Sequence, residues 1–209
     1  VLGPIGAGKT TLLRLLSGMY KPQDGRVCLD GIDLTQISKP KLAEYVGFVH
    51  QETRLFAGTV RENLILGLLD PGDEVLMDAA HQTGLMQSVI ATHPLGLHRP
   101  IHEGGTGLSA GQRQLLNFTR AMLRKPDIWL LDEPTASMDH VLGRRVKEVL
   151  QKNVKDTDTM ILVTHKIDML ELVDRIVMIS SNKIVMDGPK QDVLAKLYGV
   201  DDSIKEQRV

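Results

Sequence analysis

The residues that most constrain this chain stand almost at its start: Gly3-Pro4-Ile5-Gly6-Ala7-Gly8-Lys9-Thr10, an uninterrupted G-x-x-x-x-G-K-[ST] pattern. Glycines at those spacings let successive backbone N–H groups turn inward around phosphate oxygens. The helix that must follow presents its positive N-terminus to the same anion. In such a loop Lys9 bridges the β- and γ-phosphates and the Thr10 hydroxyl ligates Mg²⁺. A buried strand has to feed the turn, so the pattern predicts an α/β fold. Only Val1 and Leu2 precede Gly3, where a strand usually has about 5–6 residues. The expectation is that the chain is a piece of a longer polypeptide.

A second motif supports this reading. Ile128-Trp129-Leu130-Leu131-Asp132-Glu133 is an apolar run ending in two acids. It predicts a buried strand with carboxylates at the carboxyl edge of a sheet, where ligands bind in such folds. Asp132 is placed to hold Mg²⁺ through water, and Glu133 to orient and polarise an attacking water. An ordinary strand end with solvated acids reads the same in isolation; the phosphate loop in the same chain favours the catalytic reading. A third motif, Leu108-Ser109-Ala110-Gly111-Gln112, contains the Ser109/Gln112 spacing of a capping box and is followed by a helical pattern. Taken alone it is a helix start.

Between the motifs the pattern alternates. Residues 3–18 read as turn and helix, with Leu12, Leu13, Leu15 and Leu16 inward and Gly18 as C-cap. Residues 26–30 read as a strand closed by Asp30-Gly31, and 45–50 as a short buried strand. Thr59-Val60-Arg61-Glu62 matches a capping box that opens a helix. Asp73 is expected to cap another, with Val75, Leu76, Ala79 and Ala80 inward, and residues 85–90 continue helical. No strong strand signal occurs from about 52 to 125. Strand and helix then alternate again: strands at 128–131 and 160–163, a helix marked by Val141, Val146, Val149 and Leu150, and a short helix at 170–172. A hairpin around Ser181-Asn182 and a helix at 193–197 follow, with a frayed tail at 201–209.

Composition excludes several classes. With 209 residues, 42% hydrophobic and 24% charged, the chain is globular and can bury a core. Lys+Arg 25 against Asp+Glu 26 leaves no cationic footprint, so no nucleic-acid partner is expected. Cys28 is the only cysteine, which excludes an internal disulfide and a cysteine-cluster zinc site. No stretch approaches the ~20 apolar residues of a membrane helix.

Taken in order, these residues resemble the nucleotide-binding domain of ATP-binding cassette (ABC) proteins. Residues 3–11 resemble the Walker A motif, so Gly3, Pro4, Gly6, Ala7, Gly8, Lys9, Thr10 and Thr11 are the implied phosphate contacts. Gln51 resembles the Q-loop glutamine, and residues 108–112 the family signature. Residues 128–133 resemble Walker B with its catalytic glutamate, Ala136-Ser137-Met138-Asp139 the D-loop, and His165 the switch histidine. The resemblance implies a P-loop NTPase with a mostly parallel core sheet flanked by helices and an inserted helical subdomain, its N-terminal antiparallel sheet largely missing. It implies one domain over 1–209, with a RecA-like core at 1–51 and 126–200, a helical subdomain at about 52–125 and a tail at 201–209.

Function follows by the same resemblance. ATP and Mg²⁺ are the implied ligands, with Thr10, Gln51 and Asp132 around the metal and Glu133, His165 and Gln51 in catalysis. Two domains pair head to tail, a homodimer being expected, so Ser109, Ala110, Gly111, Gln112 and Asp139 would face the partner's nucleotide. Leu55-Phe56-Ala57-Gly58-Thr59-Val60-Arg61-Glu62-Asn63-Leu64 resembles the corresponding segment of ABC exporters. Glu103-Gly104-Gly105 falls where exporters touch their transmembrane domains. The run 103–109, with 132–139, is most similar to bacterial type I protein secretion ATPases, which work at the cytoplasmic face of the inner membrane.

Three departures stand out: Ala110 where the signature usually has Gly, His50 where Pro often precedes the Q-loop glutamine, and no aromatic residue before Gly3 to stack adenine. Two rivals are a soluble ABC ATPase acting on DNA and a non-hydrolysing regulatory module. The span between Walker A and the signature is short, without the coiled coil or zinc module of the first. Glu133 and His165 are both present, against the second.

Overall fold

A computed structural model describes residues 1–198. The expected tail at 201–209, and the last residues of the core expected to reach 200, lie outside the described residues.

The centre is a parallel sheet of three strands, and its middle strand is the acidic-ended run. In chain order the elements begin with α1 (Lys9–Leu16), the hairpin β1 (Cys28–Leu29) and β2 (Ile32–Asp33), α2 (Lys39–Tyr45) and β3 (Val46–Val49). They continue with β4 (Gly58–Thr59), α3 (Val60–Ile65), α4 (Asp73–Thr83), β5 (Pro100–Ile101) and α5 (Ala110–Leu123). The last are β6 (Ile128–Asp132), α6 (His140–Asn153), β7 (Thr159–Val163), β8 (Arg175–Ser180), β9 (Lys183–Pro189) and α7 (Lys190–Tyr198). The sheet order is β3-β6-β7, with Val49 opposite Leu131 and Asp132 opposite Val163.

Strand periodicity divides the core. Leu130 and Val163 meet Leu13 of α1 on one face. Trp129, Leu131 and Leu162 point the other way, into a continuous core with Leu115 and Phe118 of α5, Val146 and Leu150 of α6, and Leu76 of α4. β6 is therefore buried on both faces, as a continuous apolar run in a central parallel strand requires. Residues 1–2 run beside this sheet: the Val1 nitrogen donates to Leu162 O, and Leu2 bridges in parallel to Met178. The phosphate loop thus leaves the same edge at which β3, β6 and β7 end.

Several expectations need correction. In the first helix only Leu13 is fully buried, while Leu12, Leu15 and Leu16 are half-buried. Val75 faces outward, at 45% exposure, where an inward face was expected. Asp73 is not the cap of its helix; Gly72 holds that position, and Asp73 with Glu74 forms the first turn, where acids suit the helix dipole. The span read without strands contains the two-residue ladder β4–β5, too short to leave a period. Helix α2 was not anticipated because it buries only Leu42 and so carries no apolar stripe. The hairpin stands where expected, with Ser181 and Asn182 at φ 49 and 61, the two left-handed residues of a type I′ turn.

Candidate functional site: the phosphate loop and the acidic strand edge

The loop into α1 is built by backbone constraint. Gly3 has φ 148, and a Cβ there would lie 2.1 Å from the Ile179 carbonyl oxygen. Only glycine fits. Gly8 occupies the N-cap of α1 in the left-handed region, φ 97, and no side chain caps the helix. The first-turn N–H groups of α1 therefore have no partner within the helix. Lys9 is buried, and its Nζ donates to Gly3 O (2.7 Å) and Pro4 O (2.9 Å). The ammonium is thus folded over its own loop. Thr10 follows, half-buried, and Thr11 is exposed.

The acids stand where β6 ends. Asp132 is 1% exposed, and its Oδ2 has no hydrogen-bond partner among the described residues. Thr10, His50, Gln51 and Asp132 share a cavity of about 480 Å³ with Arg14, Asn117 and Arg120 around it. A buried carboxylate oxygen without a partner is costly, and a divalent cation among hydroxyl, amide and carboxylate oxygens would satisfy it. The donor set fits Mg²⁺. His50 stacks on Phe48 with ring centres 3.8 Å apart. Burial and the Arg14 charge lower its pKa, and Asp132 partly opposes them.

Glu133 is buried and left-handed, φ 49, a conformation that costs a non-glycine residue about 1–3 kcal/mol and persists only where neighbours hold it. Its N–H donates to Val163 O at 2.9 Å, and its carbonyl accepts from Gln114 Nε2 at 2.7 Å. Desolvation raises the carboxyl pKa, while the nearby His165 acts in the opposite direction. His165 Nε2 stands 3.2 Å from Glu133 Oε1, an approach not aligned as a hydrogen bond, so Oε1 keeps no hydrogen-bond partner among the described residues. His165 itself is largely exposed.

The N-terminus of α5 is organised differently. Ser109 Oγ accepts from Gln112 N (3.1 Å), and Gln112 Oε1 accepts from Ser109 N (2.8 Å), a complete capping box. Gln112 Nε2 reaches Ser88 O at 2.7 Å. Ser109 and Ala110 are exposed, while Gly111 is buried with Ser137 O only 2.6 Å from where a Cβ would stand. Ala110 is a helical residue, so its methyl introduces no strain. Asp139 caps α6, accepting from Leu142 N at 2.9 Å.

The structure thus brings Lys9, Thr10, Gln51, Asp132, Glu133 and His165 to one sheet edge. Among the described residues, no hydrogen bond joins Ser109, Ala110, Gly111, Gln112 or Asp139 to the phosphate loop. Two contributors escape the sequence reading. Gln114 bonds the Glu133 carbonyl, and Lys166 Nζ donates to Thr135 O at 2.8 Å. Gln114 left a signal, a polar residue on the apolar face of α5 beside Leu115 and Phe118; Lys166 left none.

The comparisons agree with one another. A family model described as "ABC transporter" matches residues 1–136. An uncharacterised ABC transporter ATP-binding protein, YfiC of Bacillus subtilis, is 34% identical over 206 residues, covering 99% of this chain and 34% of that protein. An ATP-dependent lipid A-core flippase of Neisseria meningitidis serogroup B is 36% identical over 197 residues, 94% of this chain and 31% of the flippase. The ABC multidrug transporter MDR1 of Cryptococcus neoformans var. grubii is 34% identical over 212 residues, 100% of this chain and 15% of the transporter. A bacterial Atm1-family ABC exporter solved with ATP bound superposes with TM-score 0.86 at 28% identity, over 93% of this chain and 34% of that one. The chain spans about a third or less of the length of these proteins.

Proposed function

The chain belongs to the ABC transporter family as an ATPase domain, and from that premise we propose that it binds and hydrolyses MgATP to power an exporter. In this reading residues 1–51 and 126–200 form the nucleotide-binding core, and about 52–125 the helical subdomain that carries the signature. Gly3, Pro4, Gly6, Ala7, Gly8 and Lys9 hold the phosphates, with Thr11 at the first turn of α1. Thr10, Gln51 and Asp132 hold Mg²⁺, which neutralises phosphate charge when bound.

Glu133 as carboxylate orients the attacking water and takes up its proton, while the γ-phosphoryl group passes to the water oxygen and ADP leaves. His165 hydrogen-bonds the γ-phosphate. Ser109, Ala110, Gly111, Gln112 and Asp139 serve the nucleotide held by a second copy. Ser109 Oγ accepts in its capping box, so its O–H remains free to donate to a phosphate.

One observation carries the hydrolytic part: Glu133 is buried, strained and 3.2 Å from His165, beside an Asp132 oxygen without a partner. The test is phosphate release. The wild type should turn over MgATP, and Glu133→Gln should bind ATP with turnover reduced by about 10²–10⁴-fold. Equal turnover in the two proteins contradicts the assignment.

The transmembrane domains belong to the rest of the exporter; no helix among the described residues is long and apolar enough to cross a membrane. The site of action in this reading is the cytoplasmic face of a bacterial inner membrane. For the cargo, the run Glu103-Gly104-Gly105-Thr106-Gly107-Leu108-Ser109 supports type I protein secretion. A lipid or drug is the second reading, favoured by the flippase and multidrug relatives. Vesicles holding the complete transporter, offered each class of cargo, separate the two by which one stimulates ATP turnover.

A further inference from the structure

Gln114 is a polar side chain in an apolar helix face, and it is 2% exposed. Both ends of its amide are engaged by one short loop. Nε2 donates to Glu133 O at 2.7 Å, and Oε1 accepts from Ser137 N at 3.0 Å. Between those two contacts the loop is closed on itself by Ala136 N to Glu133 O (3.1 Å). One turn earlier on α5, Gly111 lies so close to Ser137 O that a Cβ would stand 2.6 Å away. The first turn of α5 and the loop 133–137 are thus in direct backbone contact, and the Gln114 amide is their only side-chain clasp among the described residues.

We propose that Gln114 is a positioning residue that holds Glu133 in its left-handed conformation and ties it to the signature end of α5. The proposal rests on the ATPase reading for what Glu133 does. Its chemistry demands glutamine. Glutamate cannot donate to the Glu133 carbonyl. Methionine fills the space and makes neither bond. Asparagine is one methylene short. The consequence is a link between two nucleotides: the signature serves the phosphate of a second copy, while Glu133 serves the chain's own. A displacement of the first turn of α5 is passed through one amide to the backbone of the catalytic carboxylate.

The test compares wild type, Gln114→Met and the isosteric Gln114→Glu by amide hydrogen exchange without nucleotide, and by steady-state phosphate release against ATP concentration. In Gln114→Met, exchange at residues 136–138 should rise by about tenfold, the scale of one lost hydrogen bond, while α4 keeps its protection. kcat should fall with KM for ATP unchanged. Gln114→Glu keeps the acceptor for Ser137 N and loses the donor to Glu133 O, so kcat should fall there too while exchange at 136–138 rises less than in Gln114→Met. Wild-type exchange at 136–138 in folded Gln114→Met, which makes neither bond, overturns the proposal. So does a fall in kcat accompanied by loss of protection along all of α5, which marks a structural role. If the wild type releases no phosphate, the ATPase reading fails, and the exchange at 136–138 still decides for or against Gln114.

Discussion

Two helix N-termini in this molecule are built on opposite plans. α1 begins at a left-handed glycine with no side-chain cap, and its lysine folds back over the loop that precedes it. α5 begins at a serine whose capping box is complete, and Gln112 is further tied to Ser88. The first end leaves its first-turn backbone donors uncapped for a ligand; the second caps Gln112 N and Ser109 N from within and leaves a hydroxyl proton beside the N–H groups of Ala110 and Gly111, which have no partner within the helix. An end that cradles several phosphate oxygens needs free N–H groups and glycine geometry. An end that only completes a site held elsewhere can keep its cap and remain a stable helix start. That is the division expected if α1 holds the chain's own nucleotide and α5 completes the site of a second copy.

The sharpest way to break the contrast is at Gly3. A methyl group there meets the Ile179 carbonyl at 2.1 Å, so Gly3→Ala should cost about 3 kcal/mol of stability. Gly6→Ala, with nothing within 4 Å of the added carbon, should cost only the left-handed backbone term of about 1–2 kcal/mol. Calorimetric melting of both variants measures the difference, and equal melting points would refute the backbone account of the loop.

Next in size is Lys9→Ala. Losing a charge-assisted contact should weaken ATP binding by about 10–100-fold. Ser109→Ala should leave the affinity of the isolated chain unchanged. Titration of ATP into both variants checks this, and a parallel loss would erase the distinction between the two ends. Ser109→Ala should still lower stability, by about 1 kcal/mol, through its lost cap; denaturant midpoints report it.

The smallest effect is on pH. Burial raises the Glu133 pKa and His165 lowers it. Activity that needs the carboxylate is therefore lost as pH falls through a point above the carboxyl's ordinary value. His165→Ala removes a lowering influence, so the acid limb of its residual activity should move to higher pH. A shift to lower pH would contradict the proximity of the pair.

Much of this was legible in the residues, for identifiable reasons. The phosphate loop was legible because glycine at positions 3, 6 and 8 is demanded by backbone geometry. β6 was legible because a strand buried on both faces leaves a continuous apolar run. The capping boxes at Thr59 and Ser109 were legible because the spacing is itself the mechanism. What escaped was set by tertiary contact. Val75 faces outward because a helical stripe is wider than the surface that covers it. α2 and the β4–β5 ladder are too short to carry a period. The burial of Gly111 under Ser137 and the clasp of Gln114 need the folded loop to be seen at all.

The most direct measurement of the central claim is the mass in solution, by light scattering, of Glu133→Gln with and without MgATP. With hydrolysis blocked, the two kinds of helix end should close on a shared nucleotide: a monomer without ATP should become a dimer with it, and Ser109→Ala in the same background should reduce the dimer while ATP still binds. A chain that binds MgATP and remains a monomer would contradict the claim that α5 completes the site of a second copy.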